Sequence, residues 1–289
     1  MALARILARA KRKISRHFDI RHGLTAFGFD NLLPVGNAQG SLIINKAGRV
    51  VLRARHNGRA VKLYEAFSAE HAQFIAAVSE KLPDLFPQIL ETRGPWVMAE
   101  WVEGQRLTGD TGRHQIQVLR RIHSLNVDDL PPAGFCYIRD FILPRFNRAA
   151  SLASQEDTTM LADLSINLTI EPNSVLHPDI SPNNLLRTKE GHIKCIDNEL
   201  LCVGSTRLLD LCNAVRPLPD QQRHDVAYKW LSVTSATSQM ITHTAKLWIL
   251  REAGAAFTRG DFDLCDSMFV DIKSQAERWL PFSFPKLRG

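Results

Sequence analysis

Apolar and polar positions change rhythm along the 289-residue chain, and each rhythm predicts a different element. In residues 2–16, Leu3, Ile6, Leu7, Ala10 and Ile14 recur at helical spacing while Arg5, Arg9, Arg12 and Arg16 form a second stripe, which predicts a basic amphipathic helix within 1–22. From Gly23 to Leu63 the pattern turns to short extended runs, Asn31–Val35, Ser41–Asn45, Arg49–Arg55 and Ala60–Tyr64, with turns at Ala47-Gly48 and Asn57-Gly58. That is the signature of a meandering antiparallel sheet. Ser68 is placed to cap a helix through Ala69–Val78, Trp96–Val102 reads as a strand running out into a turn at Gly104, and Gln115–His123 reads as a helix. Pro131-Pro132, Pro144 and a polar cluster at 154–159 predict loops joining short helices, and helical periodicity returns over 221–255 and 262–279, broken at Gly260-Asp261.

The centre of the pattern is Ser174–Asp197. Val175-Leu176 ends a buried strand, and His177-Pro-Asp-Ile-Ser-Pro-Asn-Asn184 carries two prolines and two asparagines that stop a helix and fix a tight loop. Leu185-Leu186, a turn at Lys189–Gly191 and Ile193–Ile196 then make a hairpin ending on Asp197. Asp179, Asn184 and Asp197 are thereby carried to the ends of short strands. A carboxylate placed to accept a hydroxyl proton, with an amide oxygen and a second carboxylate as hard ligands for Mg2+, are the parts that phosphoryl transfer from ATP requires. The spacing His-x-Asp-x-x-x-x-Asn matches the kinase catalytic-loop pattern with His177, Asp179 and Asn184 in place.

Composition narrows the class. At 45% hydrophobic residues the chain is long enough to bury a sizeable core in two lobes, and no apolar run approaches the roughly 20 residues of a membrane span. Five scattered cysteines without a C-x-x-C pair suggest neither a disulfide framework nor a zinc site, so reduced thiols in a cytoplasm are expected. A net charge of +6 favours an anionic partner, but no zinc-finger, RNA-binding or basic-zipper pattern is present and nucleic acid is not expected.

The stretch around Asp179 and Asp197 resembles the H-x-D-x-x-x-x-N and I-D-x-E motifs of the aminoglycoside phosphotransferase and choline kinase group, within the protein-kinase-like superfamily. The resemblance spans about residues 30–215. It implies an α+β, two-lobed kinase-like fold, with a small antiparallel lobe over 23–103 and a larger, mainly helical lobe over 104–289. It implies transfer of the ATP γ-phosphate to a hydroxyl of a small molecule or glycoconjugate, with Asp179 catalytic, His177 bracing the loop, and Asn184 and Asp197 on Mg2+. Lys62 resembles the strand lysine that pairs ATP phosphates, and Glu70 in the following helix is implied as its salt-bridge partner, ahead of Glu65 and Glu80. Trp96–Gly104 is similar to the family's hinge, so Glu100, Trp101 and Val102 would contact adenine, and Gly36 and Gly40 would let backbone amides approach phosphates. Asn198 stands where the family usually has an aromatic, and Asp210 resembles a carboxylate that braces the catalytic region.

Two other readings use the same residues. A protein kinase would need an A-P-E segment, and none follows Asp197; a pseudokinase or nucleotide-binding scaffold would keep the fold without turnover. The basic helix favours an anionic membrane surface, which would place the protein in the cytoplasm and peripherally at the inner face of a membrane. A helix packed on the protein's own body and a mitochondrial transit peptide fit the same stripe.

Overall fold

Alternation builds strands over the predicted runs Arg49–Arg55 and Ala60–Tyr64, while Asn31–Val35 lies outside the described residues, in a computed structural model that describes residues 27, 43–46, 49–107, 113–150, 173–215, 218–219, 221–222, 225 and 238–261. The chain divides into two compact units, one of residues 1–104, 130–134 and 188–199, the other of 105–129, 135–187 and 200–289.

In the first unit, strands β1 (Ile43–Lys46), β2 (Arg49–His56), β3 (Arg59–Glu65), β4 (Ile89–Arg93) and β5 (Trp96–Glu100) form an antiparallel sheet in the order β1–β2–β3–β5–β4. The tight Asn57-Gly58 turn, with both residues at positive φ, sets the β2–β3 register and so brings Arg53 opposite Lys62. Strand β4, absent from the sequence pattern, pairs with β5 through an irregularity between Ile89 and Glu91. Helix α1 (Ala69–Lys81) begins where Ser68 caps it, the hydroxyl oxygen accepting from His71 N–H at 3.1 Å. Phe74, Ile75 and Val78 of α1 are buried, as are Val61, Leu63, Val97 and Met98 of the sheet. Strand β6 (Gln105–Arg106) opens the second unit.

The second unit is mainly helical. Helix α2 (Arg113–His123) precedes a π-helical turn at Tyr137–Ile142 that runs into α3 (Leu143–Ala150). Strand β7 (Ser174–Leu176) pairs antiparallel with β10 (Cys202–Gly204), and β8 (Leu185–Arg187) pairs with β6. Strand β9 (Ile193–Cys195) belongs to the first unit, where Cys195 N–H donates to Leu85 O at 2.7 Å. Helix α4 (Arg207–Val215) is almost wholly buried, and α5 (Ser238–Arg259) ends at Gly260, whose φ of 83° closes the helix at the sequence-predicted break. Gly254 of α5 lies so close to α3 that a Cβ there would meet Arg145 Cβ at 2.8 Å, so the bare backbone lets these helices touch. Among the described residues no helix is long and apolar enough to cross a membrane. The predicted helix at 1–22 and the glycines Gly36 and Gly40 lie outside the described residues.

Candidate active site

Lys62 occupies β3 on the face it shares with Tyr64, whose ring centroid lies 5.1 Å from the ammonium. Its Nζ is 2.5 Å from Glu199 Oε1 and 2.9 Å from Asp197 Oδ1. Burial by itself would lower the lysine pKa, but the two carboxylates, Glu199 ahead of Asp197, outweigh it and raise the value, so the ammonium stays charged. Glu70, the expected partner, is not among the carboxylates that reach Lys62. The Ser68 cap sets it in the first turn of α1, where its own backbone N–H and the Ser68 hydroxyl hold its carboxyl below the usual range. Gly134 presses on the same turn, and a Cβ on it would lie 2.6 Å from Glu70 Cβ.

Asp197 adopts φ 65°, a left-handed conformation uncommon outside glycine that typically costs on the order of 1 kcal/mol and is held only by fixed neighbours. Asn198 is one of those neighbours. It is buried, its Oδ1 accepts from the Tyr64 hydroxyl at 3.1 Å, and its Nδ2 lies 3.4 Å from Ser79 Oγ. Where the resemblance leads one to expect an aromatic, Asn198 thus makes hydrogen bonds to β3 and α1.

The hinge candidates lie at the end of β5. Glu100 N–H donates to Gln88 O at 2.9 Å, Glu100 Oε1 accepts from Gln88 N–H at 3.0 Å, and Trp101 N–H donates to Ala60 O at 3.3 Å. The Arg53 guanidinium stacks over the Trp101 ring at 4.5 Å.

In the second unit the loop after β7 is fastened from α4. Asp210 Oδ2 accepts from His177 N–H at 2.6 Å and lies 3.0 Å from His123 Nε2, while Asn213 Nδ2 donates to Pro178 O at 2.5 Å. His177 and Asp210 are both fully buried. Asn184 Nδ2 donates to Asp179 O at 2.7 Å and lies 3.4 Å from Asp179 Oδ2, closing the loop on itself over the short 3-10 turn Pro182–Asn184. The Asp179 carboxylate keeps 35% of its side chain exposed. Behind it, Arg251 of α5 donates from Nε to the Tyr137 hydroxyl at 2.8 Å, pairs through NH1 with Glu252, and brings NH2 to 3.9 Å from Asp179 Oδ1.

The donor chemistry suits Mg2+. Asn184 commits its NH2 to Asp179, which leaves its amide oxygen as a hard donor of the kind Mg2+ takes. Among the described residues no three His, Cys, Asp or Glu side chains cluster as a metal cage.

Sequence reasoning missed Glu199 as a Lys62 partner, Asn213 as a brace, and Tyr137 and Arg251 beside Asp179. For Arg251 a signal existed: it falls at helical spacing with Leu247, Trp248 and Gly254 on the buried stripe of α5.

A family model described as the phosphotransferase enzyme family matches residues 37–236. No curated protein matches the chain in sequence. Among solved structures, a thermostable mutant of aminoglycoside phosphotransferase APH(4)-Ia in complex with ADP and hygromycin B is similar at 14% identity and TM-score 0.56, covering 88% of this chain and 96% of that one. The amicoumacin kinase hAmiN with AMP-PNP, Ca2+ and Ami is similar at 12% identity and TM-score 0.59, covering 89% and 94%. A choline/ethanolamine kinase family protein from Mesorhizobium loti gives 15% identity and TM-score 0.51 over 86% and 90%. At these identities the likeness speaks for the fold.

Proposed function

This chain belongs to the phosphotransferase enzyme family and is an ATP-dependent kinase of hydroxyl groups, and we propose that the loop His177–Asn184 carries its chemistry. The observation behind this reading is the fastening of that loop: Asp210 and Asn213 fix its backbone, Asn184 closes it, and the Asp179 carboxylate stays half-exposed to an incoming hydroxyl. In the reaction the acceptor oxygen bonds to the γ-phosphorus, the bond from that phosphorus to the β–γ bridging oxygen breaks, ADP leaves, and the acceptor's proton passes to Asp179. Lys62 neutralises phosphate charge, and His177 braces the loop from within the core. Asn184 and Asp197 are the residues that would hold Mg2+, which would supply countercharge to the transferring phosphates. With the Glu100 and Trp101 N–H groups committed within the sheet, Val102 N–H is the hinge donor we assign to adenine.

The acceptor is a small molecule or glycoconjugate, in keeping with relatives whose structures hold hygromycin B or amicoumacin. The six Lys or Arg and no acid of residues 2–16 support a cytoplasmic enzyme that docks reversibly on anionic lipid. The decisive experiment is ADP formation by the purified chain against amino sugars, choline and lipopolysaccharide core sugars. Asp179→Asn should lower turnover about 10²-fold or more while Mg·ATP affinity stays near wild type. Wild-type turnover in that variant would remove Asp179 from the mechanism, and Mg·ATP binding without transfer to any hydroxyl would make the chain a nucleotide-binding scaffold.

A further inference from the structure

The guanidinium beside Asp179 bears on which acceptors the enzyme takes. Arg251 projects from α5, where the close approach of Gly254 to Arg145 brings the helix against α3 and the π-helical turn that holds Tyr137. Such π-helical turns occur disproportionately at functional sites. Arg251 is fixed on two edges: Nε–H is given to the Tyr137 hydroxyl at 2.8 Å, and NH1 faces the Glu252 carboxylate. Its third edge, NH2, points to Asp179 Oδ1 across 3.9 Å. That distance is too long for a hydrogen bond and short enough for a ligand oxygen to lie between the two groups.

A second cation, Arg145, lies over the Phe141 ring at 3.9 Å, and Tyr137 experiences Arg251, Asp179 and Arg145 together. Arg251 itself faces two carboxylates, Glu252 at NH1 and Asp179 at NH2. Burial opposes the charge, but the neighbouring Tyr137, Glu252 and Asp179 outweigh it, so the Arg251 guanidinium stays charged. An arginine with two edges immobilised has little entropy left to lose when its third edge binds, and a planar fork is the best donor for an oxyanion.

Resting on the reading of Asp179 as the group that receives the acceptor's hydroxyl, we propose that Arg251 is a specificity determinant that selects acceptors carrying an oxyanion, carboxylate or phosphate monoester, near the reacting hydroxyl. The hydroxyl lies at Asp179 and the oxyanion at NH2 of Arg251, a separation that neighbouring substituents of one sugar ring can span. A cationic amino group in the same place meets the guanidinium and is disfavoured.

The test uses the full chain with Mg·ATP and a set of acceptors matched at carbon 6: galactose, galacturonate, galactose 6-phosphate and, as the galactosamine, 6-amino-6-deoxygalactose. Galacturonate, galactose 6-phosphate or both should exceed galactose in kcat/KM by about 10-fold or more, with galactosamine lowest, and the better anionic acceptor identifies the oxyanion. Arg251→Gln should pull that ratio towards one, chiefly through KM, and Arg251→Lys, which keeps the charge without the fork, should fall between. If Arg251→Gln melts well below wild type, the wild-type ratios and the Arg251→Lys variant decide. Transfer that depends on Asp179 but favours galactosamine, or treats all four acceptors alike, overturns the oxyanion preference and leaves the kinase reading intact. Absence of Asp179-dependent transfer to any hydroxyl overturns both.

Discussion

The polar cluster around Lys62 and the one around Asp179 use charge in opposite ways. In the first unit one ammonium is matched by two carboxylates, Asp197 and Glu199, at contact distance and largely out of water. In the second, Asp179 accepts from the neutral Asn184 amide at its backbone carbonyl, Asn213 holds the preceding Pro178 carbonyl, and among the described residues its ion-pair partner Arg251 stands off at 3.9 Å. A tightly paired buried cluster is a clamp whose members depend on one another. A carboxylate anchored through its backbone stays available to a substrate. The difference teaches where each variant should be felt: stability around Lys62, turnover around Asp179.

The largest expected effect comes from breaking the clamp. Lys62→Met leaves Asp197 and Glu199 facing each other without a cation, and removal of one partner from a buried ion pair typically costs about 3–5 kcal/mol. Urea denaturation of the variant should show a midpoint well below wild type. A variant as stable as wild type would mean that the pairing does not hold the first unit together.

A smaller effect should follow in the second unit. Asp210→Ala strips the acceptor from the buried His177 N–H and the partner from His123, which should cost about 1–3 kcal/mol by chemical denaturation. Asp210→Asn, able to accept from His177 N–H, should recover part of the loss. Equal losses in both variants would show that the carboxylate charge, and not the hydrogen bond, fastens the loop.

The smallest effect sharpens the Asp179 side through pH. Burial raises the Tyr137 phenol from its usual 10 to about 12, with Arg251 opposing the shift. The folded state therefore binds this proton more tightly than the unfolded chain does. The stabilisation is complete below pH 10 and is lost as pH rises through about 12. The ultraviolet difference titration between wild type and Tyr137→Phe should reveal one phenol with a midpoint near 12. A midpoint near 10 would place the hydroxyl in water and undo its hold on Arg251.

Much of this was legible in the chain itself, because it rests on local physics. Alternation and turn residues specify β2 and β3 and the Asn57-Gly58 reversal, Ser68 specifies the start of α1, and two prolines with two asparagines specify a loop between His177 and Asn184. A motif of fixed spacing places Asp179 and Asn184 together because they are five residues apart on one tight turn. Partners across long separations were not legible. Lys62 meets residues 135 and 137 positions away, and the Ser68 cap that the sequence predicts is what turns Glu70 towards the end of α1 and away from that role. Asn198 is paired by burial with Tyr64 and Ser79, and Arg251 meets Tyr137 where Gly254 lets α5 and α3 touch. Sequence fixes what a few neighbouring residues decide by sterics and hydrogen bonding; which distant charges face one another depends on how whole elements pack, and only the tertiary structure decides that.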